Sequence, residues 1–88
     1  MESRVTDNSE AQRYELRVDG EIVGWIDYSR SGDTVALTHA EVLHEHRNQG
    51  LAETLTREAL ADLKSRGLQA QPVCPFVVAY ARRHPDEL

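Results

Sequence analysis

His44-Glu45-His46-Arg47-Asn48-Gln49-Gly50-Leu51-Ala52 separates an apolar, strand-like run from a long amphipathic segment, and it carries the pattern Arg-x-x-Gly-x-Ala. A strand that stops, a glycine-containing turn and a helix that starts together make an anion site. The first N–H groups of a helix have no partners within it, and the helix dipole favours negative charge there. A phosphate group suits such a place.

Downstream, a helix is predicted from about Gln49 to Arg66. Leu51, Ala52, Leu55, Ala59, Leu60 and Leu63 recur at helical spacing on one side, and Glu53, Arg57, Glu58 and Lys64 cover the other. Gly67 ends it. Leu68 to Val73 reads as a short strand, reached by a crossover long enough to make it parallel, and right-handed by general preference. Pro75 then opens a second helix, Phe76 to about His84, which Pro85 stops.

Upstream, Arg13 to Val18 alternates, with Tyr14, Leu16 and Val18 on one face and Arg13, Glu15 and Arg17 on the other. Asp19-Gly20 fits the two-residue turn of a hairpin. Glu21 to Tyr28 is the return strand, apolar on both faces. Ser31-Gly32 makes a second turn, and Asp33 to Leu43 is a third strand. If its alternation is regular, His39, Glu41 and Leu43 follow Val35 and Leu37 on one face. That would set Glu41 or His39 at the edge of the core as a general base, or simply run the strand out into water. A bulge would change this parity. Residues 1–11 are mostly polar and read as a flexible N-terminal arm, leaving 12–88 as one domain. The order strand, strand, strand, helix, strand, helix predicts an α+β sandwich with a four-stranded mixed sheet.

The chain has 88 residues and a formal net charge of −5. An acidic chain lacks the Lys/Arg excess that general nucleic-acid binding needs. Its one cysteine, Cys74, rules out an intrachain disulfide and a multi-cysteine metal site. The four histidines show no zinc-type spacing, so no metal is expected. No stretch resembles a signal peptide or a membrane span, and the chain is expected to be soluble and cytoplasmic.

Several stretches together resemble the GNAT acetyltransferase superfamily. Within it, the chain is similar to the small single-domain family whose human member is called N-acetyltransferase domain-containing protein 1. The resemblance is carried by Arg13-Tyr14-Glu15-Leu16, Val18-Asp19-Gly20-Glu21, Asp27-Tyr28, His39-Ala40-Glu41-Val42, Arg47 to Ala52, Cys74-Pro75-Phe76-Val77 and His84-Pro85. It implies a minimal GNAT-like fold: a three-stranded antiparallel meander, a helix, a parallel fourth strand and a C-terminal helix. It also implies acetyl-CoA as the cosubstrate. The pantetheine arm would lie between the third strand and the Leu68–Val73 strand, beside the backbone of Glu41, Val42 and Leu43 and close to Cys74. The pyrophosphate would rest on Arg47 and on the turn Asn48-Gln49-Gly50-Leu51-Ala52.

The activity implied is transfer of the acetyl group to an amine, of a small molecule or a protein, whose identity is not legible. Glu41, or His39 through a water, would take the amine proton, and an N–H of Val42 or Leu43 would stabilise the oxyanion. By the same resemblance Tyr80 would protonate the leaving thiolate; it also fits a packed aromatic beside Phe76. Cys74, just ahead of a helix, suits a nucleophile that relays the acetyl group, a non-covalent active-site group or a small packed residue. The competing function is a CoA-binding module without turnover.

Overall fold

The computed structural model describes residues 2–88. Five strands, β1 (Ser3–Asn8), β2 (Arg13–Val18), β3 (Glu21–Ser31), β4 (Thr34–Val42) and β5 (Gln69–Pro72), form one sheet in the order β1-β2-β3-β4-β5. The first four pair antiparallel and β5 pairs parallel to β4. Helix α1 (Leu51–Ser65) crosses between β4 and β5, and α2 (Pro75–Arg83) follows β5. The α+β reading holds, and the helix, parallel strand and final helix fall where the periodicity puts them. The hairpin turn at Asp19-Gly20 has positive φ at both residues, 51° and 89°, the geometry that matches strand twist.

Two expectations are corrected. Of the expected arm 1–11, residue 1 lies outside the described residues, and the rest is not loose: Ser3–Asn8 pairs in register with β2, from Ser3 opposite Val18 to Asn8 opposite Arg13. The meander therefore has four strands and the sheet five. An edge strand needs little apolar content, because its main chain is held by its neighbour on one side and faces water on the other. Only Val5 of β1 packs on the core. The strand is instead tied down by side-chain bonds. Tyr28 donates to Asp7 at 2.6 Å, Tyr14 donates to Asp62 of α1 at 2.6 Å, and Arg66 donates to both carboxylates at 3.0 Å.

The second correction concerns the face of β4. Tyr28 is opposite Leu37 but Asp27 is opposite His39, so Thr38 is an extra residue in β4. This bulge flips the alternation. Val35 and Leu37 point into the core, and beyond the bulge it is Ala40 and Val42 that pack on it. His39 and Glu41 lie on the opposite face, with their partners Asp27 and Trp25.

Both helices cover one face of the sheet. Tyr14, Leu16, Ile26, Val35 and Leu37 meet Leu55, Ala59, Leu60 and Leu63 of α1, with Val77 and Tyr80 of α2, in one core. The other face carries no helix. Pairing between β4 and β5 runs only from Thr34–Gln69 to Leu37–Pro72. Past Leu37, whose carbonyl accepts from the N–H groups of Val73 and Cys74, the edge of β4 is unpaired. Among the described residues no helix is long and apolar enough to cross a membrane.

Candidate active site

A cleft of about 410 Å³ opens where β4 leaves β5, lined by Ala40, Glu41 and Val42, by His46 to Asn48, by Gly50 to Glu53 and Leu55, and by Phe76. Its back wall is the free edge of β4. Leu43 donates its N–H to Val23 at 2.8 Å, which makes residues 41 and 25 the next bonded pair and turns the main-chain groups of residues 40 and 42 away from β3. The N–H and C=O of Ala40 and Val42 thus face the cleft. Of the two expected oxyanion donors, Val42 is oriented for the task. Leu43 is not, because its N–H is already bonded.

The floor is the start of α1. Gly50 caps it with φ +72°, and Asn48 also has positive φ, 64°. These two left-handed residues swing the chain from the 3-10 turn His44–His46 into the helix. No backbone carbonyl among the described residues accepts from the N–H groups of residues 48 to 53, and the first helical bond of this stretch is Thr54 to Gly50 at 3.1 Å. The helix begins at Leu51, two residues later than the periodicity suggests, since Gly50 supplies the reversal. Of the expected turn, Asn48, Gly50, Leu51 and Ala52 line the cleft, joined by Glu53, and Gln49 does not.

Charge sits between wall and floor. Arg47 bridges both, donating from Nε to the Val42 carbonyl at 3.2 Å and from a terminal nitrogen to Glu41 Oε1 at 3.2 Å. His39 Nε2 lies 3.4 Å from Glu41 Oε2. The Glu41 side chain keeps 35% of its surface exposed, so it reaches both the cleft and the open face of the sheet. Free amides, a guanidinium and an unpaired strand edge suit a ligand with anionic groups at one end and an amide-bearing arm. Beside them a carboxylate is placed to move a proton.

The sequence profile of the GCN5-related N-acetyl-transferase family matches residues 13–88. The chain belongs to this family. No curated protein sequence is significantly similar to it. Among solved structures it resembles a GNAT acetyltransferase from Brucella melitensis determined in complex with acetyl-CoA, with TM-score 0.64 and 25% identity over 85% of this chain and 53% of that one. It also resembles the ribosomal-protein-alanine N-acetyltransferase of Brucella melitensis biovar Abortus 2308, with TM-score 0.59 and 22% identity over 86% of this chain and 59% of that one. The third is the ribosomal-protein-S18-alanine N-acetyltransferase of Escherichia coli, with TM-score 0.60 and 19% identity over 77% of this chain and 40% of that one. The chain thus spans about half the length of the solved proteins it resembles.

In this GNAT domain five expected site residues are not part of the cleft lining: His39, Leu43, Gln49, Cys74 and Tyr80. Tyr80 is 3% exposed, donates its hydroxyl to Glu87 at 2.7 Å and stacks on His84 with ring centroids 4.4 Å apart. Burial, then the Glu87 bond, pushes its pKa up to about 12. Cys74 is 7% exposed within the core cluster, at the cap of α2. Phe76 is the residue that α2 contributes to the cleft. Among the described residues no cluster of three or more metal-ligating side chains occurs.

The residues that sequence reasoning missed lie on the open face. Register places Glu15, Trp25 and Glu41 in one row across β2, β3 and β4, with Arg13, Asp27 and His39 in the next. Glu15 is only 3% exposed although it is on the face without helices. Burial pushes its carboxyl up, but bonds from Arg13 at 2.7 Å and Asn8 at 3.2 Å, and the charges of Arg13 and Arg17, outweigh that and hold it below the usual carboxylate range. The Arg13 guanidinium lies 5.1 Å from the centre of the Trp25 ring. The signal for this cluster was alternation of opposite charges along β2, which reads equally well as a solvated face.

Proposed function

We propose that the chain is an acetyl-CoA-dependent N-acetyltransferase that passes the acetyl group directly to an amine. One observation carries this reading: unpaired amides at the start of α1, the free edge of β4 and the Glu41 carboxylate converge on one cleft. Family membership supports it, as does the acetyl-CoA complex of the Brucella GNAT protein. Within the family, the stretches from Arg13 to Pro85 favour a place among the small single-domain members similar to N-acetyltransferase domain-containing protein 1. A single buried cysteine fits work in the cytoplasm.

Acetyl-CoA supplies an activated thioester, and the chain holds and orients it. The amides of Gln49 to Ala52 receive the pyrophosphate, with the dipole of α1 behind them. Arg47 adds a charge-assisted bond, exchanging its partners Glu41 and the Val42 carbonyl for a phosphate. The Ala40 and Val42 edge pairs with the pantetheine amides, and the Val42 N–H polarises the thioester carbonyl. The amine nitrogen bonds to the acetyl carbon as the C–S bond breaks. Its proton goes to Glu41, or to His39 through a water, and finally to the sulfur of released CoA. Burial of Cys74 in the core favours this direct route over an acetyl-cysteine relay.

The test pairs binding with turnover. Calorimetry should show acetyl-CoA binding, and a thiol assay should show free CoA released with at least one member of a panel of amines and basic peptides. Binding without thiol release would make the chain a CoA-binding module. No binding would overturn the reading altogether.

A further inference from the structure

We propose that the open face of the sheet beside Glu41 is the acceptor subsite, and that it selects a small amine carrying a second positive charge. The proposal rests on the acetyltransferase reading and names the substrate class for that same site. Trp25 and Asp27 on β3 stand opposite Glu41 and His39 on β4, so four side chains form a block on the face without helices. Glu41 belongs both to this block and to the cleft lining. An acceptor lying on the block reaches the carboxylate without crossing the packed helices.

The ion pairs of this face leave one carboxylate over. Glu15 is paired with Arg13 and Arg17, and Glu41 with Arg47, while His39 Nε2 lies 3.4 Å from Glu41 and pairs with it only when protonated. Asp27, cross-strand from Arg13, loses that arginine to Glu15; among the described residues its carboxylate has neither an ion pair nor a side-chain hydrogen bond. It is half-buried and flanked by the indole of Trp25, two residues along the same strand. The Arg13 guanidinium, drawn to Glu15, lies 5.1 Å from the same ring; a carboxylate without a direct ion pair beside such an aromatic ring is a site for an ammonium group. Asp27 and Glu41 are diagonal neighbours across the strand pair, about 7–8 Å apart at the backbone. An extended diamine of the length of 1,4-diaminobutane places its reacting nitrogen at Glu41 and its second ammonium at Asp27.

Trp25 is the single tryptophan of the chain, so its fluorescence reports this subsite alone. With CoA bound, titration with 1,4-diaminobutane should change Trp25 emission, and n-butylamine should need a several-fold higher concentration. With acetyl-CoA, kcat/KM should favour 1,4-diaminobutane over n-butylamine by about fivefold to tenfold, the worth of one half-exposed ion pair with an aromatic contact. Asp27→Asn should abolish that preference and leave the KM for acetyl-CoA unchanged, and Asp27→Glu should restore part of it. Equal kcat/KM for the two amines, with emission unmoved by the diamine, would overturn the proposal while acetyl transfer stood. Emission that responds without any thiol release would keep the subsite and sink the enzyme reading. Failure of acetyl-CoA to bind would sink both.

Discussion

Arg47 carries more contacts at the cleft than its place in an exposed turn suggests. It holds the Glu41 carboxylate and the Val42 carbonyl at once, each at 3.2 Å. Arg47→Ala should therefore weaken acetyl-CoA binding by about tenfold or more, the worth of a lost charge-assisted bond. Calorimetry at two salt concentrations checks it, since the variant should also lose part of the salt dependence. Gly50 acts through its backbone instead. A Cβ there would meet nothing within 4 Å, so Gly50→Ala costs only the left-handed conformation at φ +72°, about 1 kcal/mol in urea unfolding. Glu15 is different again, because it is buried and charged. Its folded-state pKa lies below the ordinary value, so its stabilising contribution is present above the unfolded pKa of about 4.3 and is lost as pH falls through the folded value. Glu15→Gln should lower stability at pH 7 by on the order of 1–2 kcal/mol. Unfolding midpoints of the two proteins should then converge as the pH is lowered toward 2. A gap that stayed constant with pH would mean that the side chain stabilises through packing alone.

At the scale of elements, β1 is held to the molecule mainly through the Tyr14–Asp62–Arg66–Asp7–Tyr28 network and the ladder to β2. Removing the arginine with Arg66→Ala should loosen β1 before the rest of the sheet. Hydrogen exchange of the Ser3–Asn8 amides should accelerate while the β2 to β4 amides stay protected, and global stability should fall by only about 1 kcal/mol. This explains why β1 was illegible: long-range polar contacts leave no period in a sequence, whereas α1 and β2 do. The bulge in β4 had a trace that regular alternation concealed. Val35 and Leu37 are followed by Ala40 and Val42, so the apolar step lengthens from two residues to three across Thr38. That phase change put Glu41 on the open face, within reach of an acceptor, and took it off the core side where strict alternation would have placed it. The turn at the cleft's floor was legible because a strand end, a glycine and a helix start are local signals. The fate of Tyr80 was not, since it depends on Glu87 and His84 folding back beyond the end of α2.

For the whole molecule, the cleft joins parts of the chain that only the native fold brings together: the edge of β4, the start of α1 and the first turn of α2. A ligand there binds the folded state and has no counterpart site on the unfolded chain. Its binding energy must therefore appear as stability. At a free ligand concentration of one hundred times Kd the gain is about 2.7 kcal/mol. In a domain of fewer than 100 residues the unfolding entropy is small, and each kcal/mol raises Tm by roughly 4–8 °C. Acetyl-CoA at that ratio should then raise Tm by roughly 10–20 °C, a response larger domains do not show for the same affinity. Arg47→Ala, measured at the same acetyl-CoA concentration, should give a smaller rise, because its Kd is higher while the fold is the same. Asp27→Asn should give the full rise, because Asp27 faces the acceptor and not the donor. A shift close to zero for the native chain at saturating acetyl-CoA would contradict the cleft as the donor site. Equal shifts for native chain and Arg47→Ala would place the donor's phosphates away from α1.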